Sequence, residues 1–260
     1  MTTLAHSLTD SGTMLRRQLL HLRRYPSLTG MLIGLPVIFL LLFVYVFGGT
    51  LGAGLGGDRS AYLDYLTPGI LLFTVAGAAA GPAIAVAMDM TEGIVDRFRS
   101  MAIARGALLT GHVLGSMVQS FLAVLAVLGV ALAIGFRPNA TALEWLAVAG
   151  MLAAISFALT WLAVALGMAA DSVETASNTP MFLSLLPFLG SGFVPTETMP
   201  TGLRVFAENQ PFTPVIETLR GLLLGTGIGN SAIVALAWCA GITLLSYLWA
   251  KRNYNKRAAR

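Results

Sequence analysis

Side chains that could carry out chemistry are few in this chain, and their spacing does not assemble a reactive site. His112, Ser116 and Gln119 follow one another at i, i+4 and i+7, so they would share one face of a helix. In an apolar helix this pattern favours hydrogen bonding between helices over catalysis. The chain has three histidines, far apart, and one cysteine, Cys239. A disulfide framework within the chain is therefore excluded, and a metal site is not expected.

Nucleotide binding is not expected of this chain either. Its only lysines are Lys251 and Lys256, and neither follows a glycine-rich turn, so the sequence has no P-loop. The stretch GGTLGAGLGG, residues 48–57, lacks the lysine and is expected to be a flexible loop outside the cell. We expect neither enzymatic activity nor a cofactor in this chain. If ATP drives the protein, a partner ATPase must bind the ATP and its Mg²⁺.

The elements that carry these residues are those of a membrane protein. Of 260 residues, 56% are hydrophobic and 11% are charged, against roughly 25% charged in soluble proteins. Six runs contain no Asp, Glu, Lys or Arg, and a helix needs about 20 such residues to cross a bilayer. The sequence therefore predicts an all-α integral membrane protein with six transmembrane helices. The runs are residues 29–47, 66–88, 106–136, 145–170, 175–196 and 221–250.

The last two runs and the region between them have further features. Pro180 and Pro187 lie inside the fifth run, and each removes a backbone hydrogen bond, so helix five is expected to bend or open there. Short external helices are expected between helices five and six. Glu217 and Arg220, three residues apart, predict an ion pair within one of them.

The positions of Lys and Arg predict the orientation. With six spans, 12 of the 16 basic residues lie on the side that holds both termini and the loop after the second span. The positive-inside rule then places both termini in the cytoplasm, and no nucleic-acid partner is needed to explain the basic charge. We predict a single membrane domain over residues 1–260. It has an amphipathic, interfacial N-terminus in 1–28, the six helices in 29–250 and a basic tail in 251–260.

The charged loop EGIVDRFRSMAIARG, residues 92–106, has the pattern of a short amphipathic helix. At 100° per residue its apolar side chains fall on one side and its charged side chains on the other. Such a helix would lie along the membrane surface or in the groove of a partner; a solvated loop is the alternative. The apolar residues are Ile94, Phe98, Met101 and Ala102, and the charged ones are Glu92, Asp96 and Arg99.

Two segments resemble a known family of membrane proteins. GIVDRFRSMAIARGALLTGHVLGS, residues 93–116, is similar to the corresponding loop of ABC-2 type permeases, in particular the daunorubicin-resistance group of drug exporters. Residues 182–225 resemble the family's region between helices five and six, with GFVP, MP, NQP and LRG as the matching elements. One departure is Met101-Ala102-Ile103, where the drug-exporter group usually has Leu-Pro-Met.

The resemblance implies an ABC-2 type exporter fold. Members of the family are permeases that pair as dimers and bind two separate ATPase subunits, and the loop between their second and third spans is a coupling helix. It follows that residues 92–102 would dock on the ATPase and that this permease would form a homodimer. The resemblance also implies a cargo path along helix five and its dimer mate, with helix two contributing. Asn178, Phe182 and Leu186 share one face of helix five, although ordinary helix packing is the alternative for each.

We therefore expect the permease subunit of an ATP-binding-cassette exporter in the bacterial plasma membrane. Its pathway would suit a hydrophobic or amphipathic drug, antibiotic or lipid, and a role in drug and antibiotic resistance follows from the resemblance. An ABC-2 permease for a polysaccharide or glycolipid is the alternative. A secondary transporter is less favoured, because it normally needs ionisable residues inside its spans and the six runs contain no acid.

Overall fold

The computed structural model describes residues 26–91 and 107–257. Every regular element in these residues is helical, which confirms the all-α prediction. The predicted N-terminal interfacial helix and the loop 92–106 lie outside the described residues. In chain order the elements are α1 (Pro26–Leu41), a π-helix (Leu42–Phe47), α2 (Gly48–Gly54), α3 (Arg59–Ala78), α4 (Ala80–Thr91), α5 (Ala107–Ala133), α6 (Ala142–Ala169), α7 (Val173–Leu185), 3₁₀ turns at Leu186–Leu189 and Thr196–Thr198, α8 (Thr201–Asn209), α9 (Phe212–Leu224) and α10 (Ser231–Arg257).

Five helical segments are long and apolar enough to cross a membrane, and they correspond to five of the six predicted runs. The predicted fifth span, residues 175–196, is not one helix, so the count of six spans is not confirmed. α7 ends at Leu185, and a 3₁₀ turn that contains Pro187 follows it. Proline lacks the N–H that would continue the α-helical bonding, which explains the change. The five spans are Gly30–Gly54, Arg59–Met88, Val113–Ala133, Ala142–Ala169 and Ser231–Asn253.

The glycine-rich residues Gly48–Gly54 form helix α2, so the prediction of a flexible loop was wrong here. The glycines allow this helix to lie directly against the start of α3. A Cβ atom at Gly52 would overlap the backbone carbonyl of Asp58. The Asp58 carboxylate caps α3 by accepting hydrogen bonds from two backbone N–H groups, at 2.9 and 3.1 Å.

Helix α3 forms the centre of the bundle. It is largely buried and packs against α1, α5, α7 and α9, whereas few residues of α1 and α10 are buried. α4 and α6 meet with their backbones in contact at Gly167, where a Cβ atom would overlap the backbone of Ala83. α7 packs against α3, α4 and α6. This packing leaves the other side of α7 open.

Candidate functional site

The residues predicted to dock on an ATPase lie outside the described part of the chain. The described helices show only where the segment begins and ends: α4 ends at Thr91 and α5 begins at Ala107. The docking role of the segment therefore stays a prediction. The residues concerned are Glu92, Ile94, Asp96, Phe98, Arg99, Met101 and Ala102.

Helix α7 carries the predicted cargo face. Ser172 caps its start by accepting a hydrogen bond from a backbone N–H at 3.2 Å. Ala176 and Pro180 are buried against the bundle. Asn178 is exposed, and 70% of Phe182 is exposed. Two of the three predicted residues thus lie on the open side of the helix.

Leu186, the third predicted residue, is placed differently. It begins the 3₁₀ turn, which has three residues per turn instead of 3.6, so the i, i+4, i+8 spacing no longer keeps one face. Leu186 is partly buried and packs against the apolar core. The exposed apolar side chains near it are Met181, Leu185 and Leu189. The exposed face of α7 therefore includes Asn178 and Phe182 but not Leu186, and its role as a cargo path stays a prediction.

After α7 the chain forms what we name the tethered turn, Leu186–Val194. Side chains from outside the turn donate hydrogen bonds to its backbone oxygens. The Tyr62 and Tyr65 hydroxyls on α3 donate to two of these oxygens at 3.1 and 2.8 Å, and Gln210 Nε2 donates to a third at 3.1 Å. Irregular backbone inside a membrane is tolerated where protein groups satisfy it, and these bonds meet that requirement. The acceptors are the carbonyls of Phe193, Ser191 and Leu186, in that order.

Arg220 of α9 joins three elements at the tethered turn. Its Nη2 donates to the carbonyls of Ser191 and Tyr65 at 2.6 and 3.2 Å, and its guanidinium lies 3.8 Å from the centroid of the Tyr65 ring. Its Nη1 pairs with Glu217 at 3.1 Å, which confirms the predicted ion pair within this helix. Only 12% of the Arg220 side chain is exposed, against 45% for Arg204 in the ion pair of α8. Arg220 is therefore held by interior contacts as well as by its ion pair.

Aromatic packing also fixes the tethered turn. The rings of Phe188 and Phe193, both in the turn, stack with centroids 4.1 Å apart. Phe188 makes edge contacts with Phe39 of α1 at 5.5 Å and with Phe73 of α3 at 5.2 Å. Phe43 of the π-helix lies 5.1 Å from Phe193. Such pairs add to the stability gained by burying the rings, so the turn is bound to α1 and α3 together.

The contacts of the tethered turn were not expected from the sequence. The Tyr62 and Tyr65 bonds join residues 131 and 126 positions apart, and no local spacing rule reports such pairs. A weak signal existed, because a tyrosine buried in an apolar helix usually finds a partner for its hydroxyl. That rule predicts a polar contact at Tyr62 and Tyr65 without saying where the acceptor lies.

Among the residues that the structure describes, no group of three or more His, Cys, Asp or Glu side chains could hold a metal ion. What the described residues offer instead is an open apolar face on α7 that ends at a hydrogen-bonded turn. Such a face can contact lipid, a second protein chain or an apolar solute.

Comparison with known proteins finds similarity along nearly the whole chain. Residues 10–224 match the family described as ABC-2 type transporter. The daunorubicin resistance ABC transporter permease protein DrrB1 of Streptomyces coeruleorubidus is 27% identical over 248 residues, which cover 95% of this chain and 86% of that protein. The probable doxorubicin resistance ABC transporter permease protein DrrC of Mycobacterium tuberculosis is 25% identical over 230 residues, which cover 86% of this chain and 79% of that protein. The family match ends at Leu224, the last residue of α9.

Proposed function

Because the chain belongs to the ABC-2 type transporter family, we propose that it is the permease subunit of an ATP-driven exporter. Its cargo is a hydrophobic or amphipathic compound such as a drug, an antibiotic or a lipid. The family match over residues 10–224 carries the proposal, since it includes the open face of α7 and the tethered turn. The two relatives named for daunorubicin and doxorubicin resistance support a drug-like cargo.

The proposed assembly contains two copies of this chain and two ATPase subunits, which bind the ATP and Mg²⁺. The distribution of Lys and Arg supports an orientation with both termini in the cytoplasm of a bacterial cell. The loop 92–106 then faces the ATPase. α3 begins at the opposite membrane surface, so the tethered turn, bonded to Tyr62 and Tyr65, lies toward the outside.

The cargo path in this proposal follows the open face of α7 and its mate in the second copy. In the proposed orientation α7 starts near the cytoplasm, so Asn178 comes first and Phe182 follows about one turn later. A polar group followed by apolar ones suits an amphipathic compound. Polysaccharide carriage is less favoured, because the exposed residues that follow are Met181, Phe182, Leu185 and Leu189.

The function is tested with inside-out vesicles that contain the permease and its ATPase. Doxorubicin, followed by its fluorescence, should accumulate inside the vesicles when ATP is added and should not do so with a non-hydrolysable analogue. Accumulation driven by an imposed proton gradient without ATP would support a secondary transporter instead. ATP-dependent movement of a glycolipid, with none of doxorubicin, would favour the polysaccharide and glycolipid alternative.

The permease purified alone should not hydrolyse ATP. The sequence has no P-loop, so nothing in this chain is expected to cradle the phosphates. Phosphate release from the permease in detergent should equal the rate of a blank preparation, and addition of the ATPase should raise it. ATP hydrolysis that co-purifies with the permease through further steps would contradict the proposal that a separate subunit hydrolyses the ATP.

Phe182→Ala should change which compounds are exported more than how much protein is made. The ring is mostly exposed, so its loss removes contacts with cargo and leaves the core intact. A loss of about 1 kcal/mol of binding corresponds to roughly a fivefold weaker apparent affinity for large aromatic compounds. Transport of several compounds by equal amounts of protein measures the effect.

Phe157→Ala, at an exposed phenylalanine of α6, is the matched control and should leave selectivity unchanged. Single cysteines at positions 178, 182 and 186, with Cys239 replaced, give a second measurement. Cargo should protect the cysteines at 178 and 182 from a membrane-permeant thiol reagent, whereas the one at 186, which packs against the core, should react slowly with or without cargo. Inertness at 178 and 182 would place this face in a packed interface instead.

A further inference from the structure

The tethered turn lies next to the outer end of the proposed cargo path. It continues directly from α7, whose open face is the proposed path. Its own backbone is not regular helix beyond Leu189, so its position depends on partners from other elements. Those partners are the tyrosines of α3, Gln210 and Arg220, together with the phenylalanine cluster.

Arg220 is the residue on which these contacts converge. The two hydrogen bonds of Nη2 reach two different elements, Ser191 in the turn and Tyr65 on α3. Stacking on the Tyr65 ring fixes the plane of the guanidinium, and Glu217 on the same helix supplies the opposite charge. Loss of this one side chain would therefore remove a hydrogen bond from α9 to the turn and a second from α9 to α3, and would leave the turn bonded to Tyr62, Tyr65 and Thr213.

Hydrogen-bonding capacity remains unused around the turn. Among the described residues, four buried side-chain polar atoms have no hydrogen-bond partner. Three of them belong to the turn or to residues bonded to it: Ser191 Oγ, Gln210 Oε1 and Arg220 Nε. Buried polar groups are usually paired. These three atoms can therefore make further hydrogen bonds beside the turn.

The turn also packs on α3 through a contact between two glycines. Gly190 and Gly192 flank Ser191, and the backbone of Gly192 lies against that of Gly69 on α3. A Cβ atom at Gly69 would come within 2.5 Å of the Gly192 carbonyl oxygen. The close approach of the turn to α3 therefore requires that position 69 has no side chain.

We propose that Arg220 is a positioning residue that holds the tethered turn across the outer end of the cargo path, and that the turn leaves Arg220 when cargo is released. The proposal rests on the proposed export function for the direction and the timing of the movement. It does not need Arg220 to touch cargo.

The test uses Ser191→Cys as a reporter in the full complex, with Cys239 replaced by alanine. Ser191 is buried and its hydroxyl has no hydrogen-bond partner among the described residues, so the substitution is small. The rate of reaction with a membrane-impermeant maleimide is measured on intact cells without cargo. With Arg220 present the reporter should react slowly. With Arg220→Ala it should react at least tenfold faster.

Several variants separate a positioning role from a general loss of structure. Arg220→Lys keeps the charge but not the planar, stacked group that serves two carbonyls, so it should give an intermediate rate. Arg204→Ala, at the exposed ion pair of α8, should leave the rate unchanged. Gly69→Ala should raise the rate with Arg220 intact, because it displaces the turn directly. A parallel protein with Arg220→Ala and the native Cys239 and Ser191 should stay unreactive, since Cys239 is buried in α10.

The proposal is overturned if the reporter reacts equally fast with and without Arg220, or if Cys239 becomes reactive as well. If Arg220→Ala is not recovered from the membrane, Arg220→Lys decides: a rate equal to that of the parent protein overturns the proposal. In right-side-out vesicles loaded with ATP, addition of cargo to the parent complex should also raise the rate. If cargo and ATP have no effect there while Arg220→Ala does, the positioning role of Arg220 stands and the release of the turn during export fails.

Discussion

Gly167→Ala should destabilise the folded permease by about 2 kcal/mol, which corresponds to more than a tenfold shift toward unfolded protein. The new methyl group would overlap the backbone of Ala83, and backbone cannot turn aside as a flexible side chain can. α4 and α6 would have to separate. The separation would also disturb α7, which packs against both.

The measurement is the midpoint of thermal unfolding in detergent, together with the yield of monodisperse protein. Gly150→Ala is the matched control, because it lies on the same helix and no described atom comes within 4 Å of its added Cβ. Both substitutions raise helix propensity by a similar amount, so this term cancels between them. Equal stability of the two variants would show that α4 and α6 are not in backbone contact.

Phe98→Ala should weaken binding of the ATPase by about 2 kcal/mol or more, or roughly 30-fold, while membrane insertion stays normal. The reasoning comes from the sequence, since Phe98 lies in the loop 92–106 outside the described residues. It is the largest apolar side chain on the predicted docking side, and interfaces depend on a few buried aromatic anchors. ATP hydrolysis should continue in the ATPase without cargo movement.

Pull-down of the ATPase and transport per ATP hydrolysed measure this effect. Arg99→Ala is the control, because a charge at the exposed rim of an interface contributes little. Transport and binding at the parent level in Phe98→Ala would mean that the loop does not dock through its apolar side.

The sequence predicted most of the bundle, and the structure leaves one of the six predicted spans unconfirmed. Runs without charge identify apolar helices of sufficient length, and five such runs correspond to spans in the structure. Residues 175–196 also form a long run without charge, but the absence of charged residues does not predict whether the run is one continuous helix. The sequence predicted that helix five would bend or open at Pro187. It did not predict that this would divide the fifth run into two shorter elements.

The site was predicted only as far as local spacing allows. Asn178 and Phe182 lie on the open face of α7 as their i, i+4 spacing predicts, and the Glu217–Arg220 pair follows from i, i+3. The bonds from Arg220 to Ser191 and to Tyr65 join residues 29 and 155 positions apart. Such contacts depend on how the helices pack against each other. That packing depends in turn on glycines at close helix contacts, and no local sequence pattern identifies the residues that lie opposite them.

The π-helix between α1 and α2 affects how this protein can tolerate deletions. A π-turn holds one residue more than an α-turn, so loss of a single residue within Leu42–Phe47 can convert the stretch to α-helix and keep both flanking faces in phase. The same loss within α3 would rotate one half of the helix by about 100° relative to the other and turn its tyrosines or Phe73 away from the tethered turn. The first span can therefore lose one residue in its π-helix without a change of packing, whereas α3 at the centre of the bundle cannot.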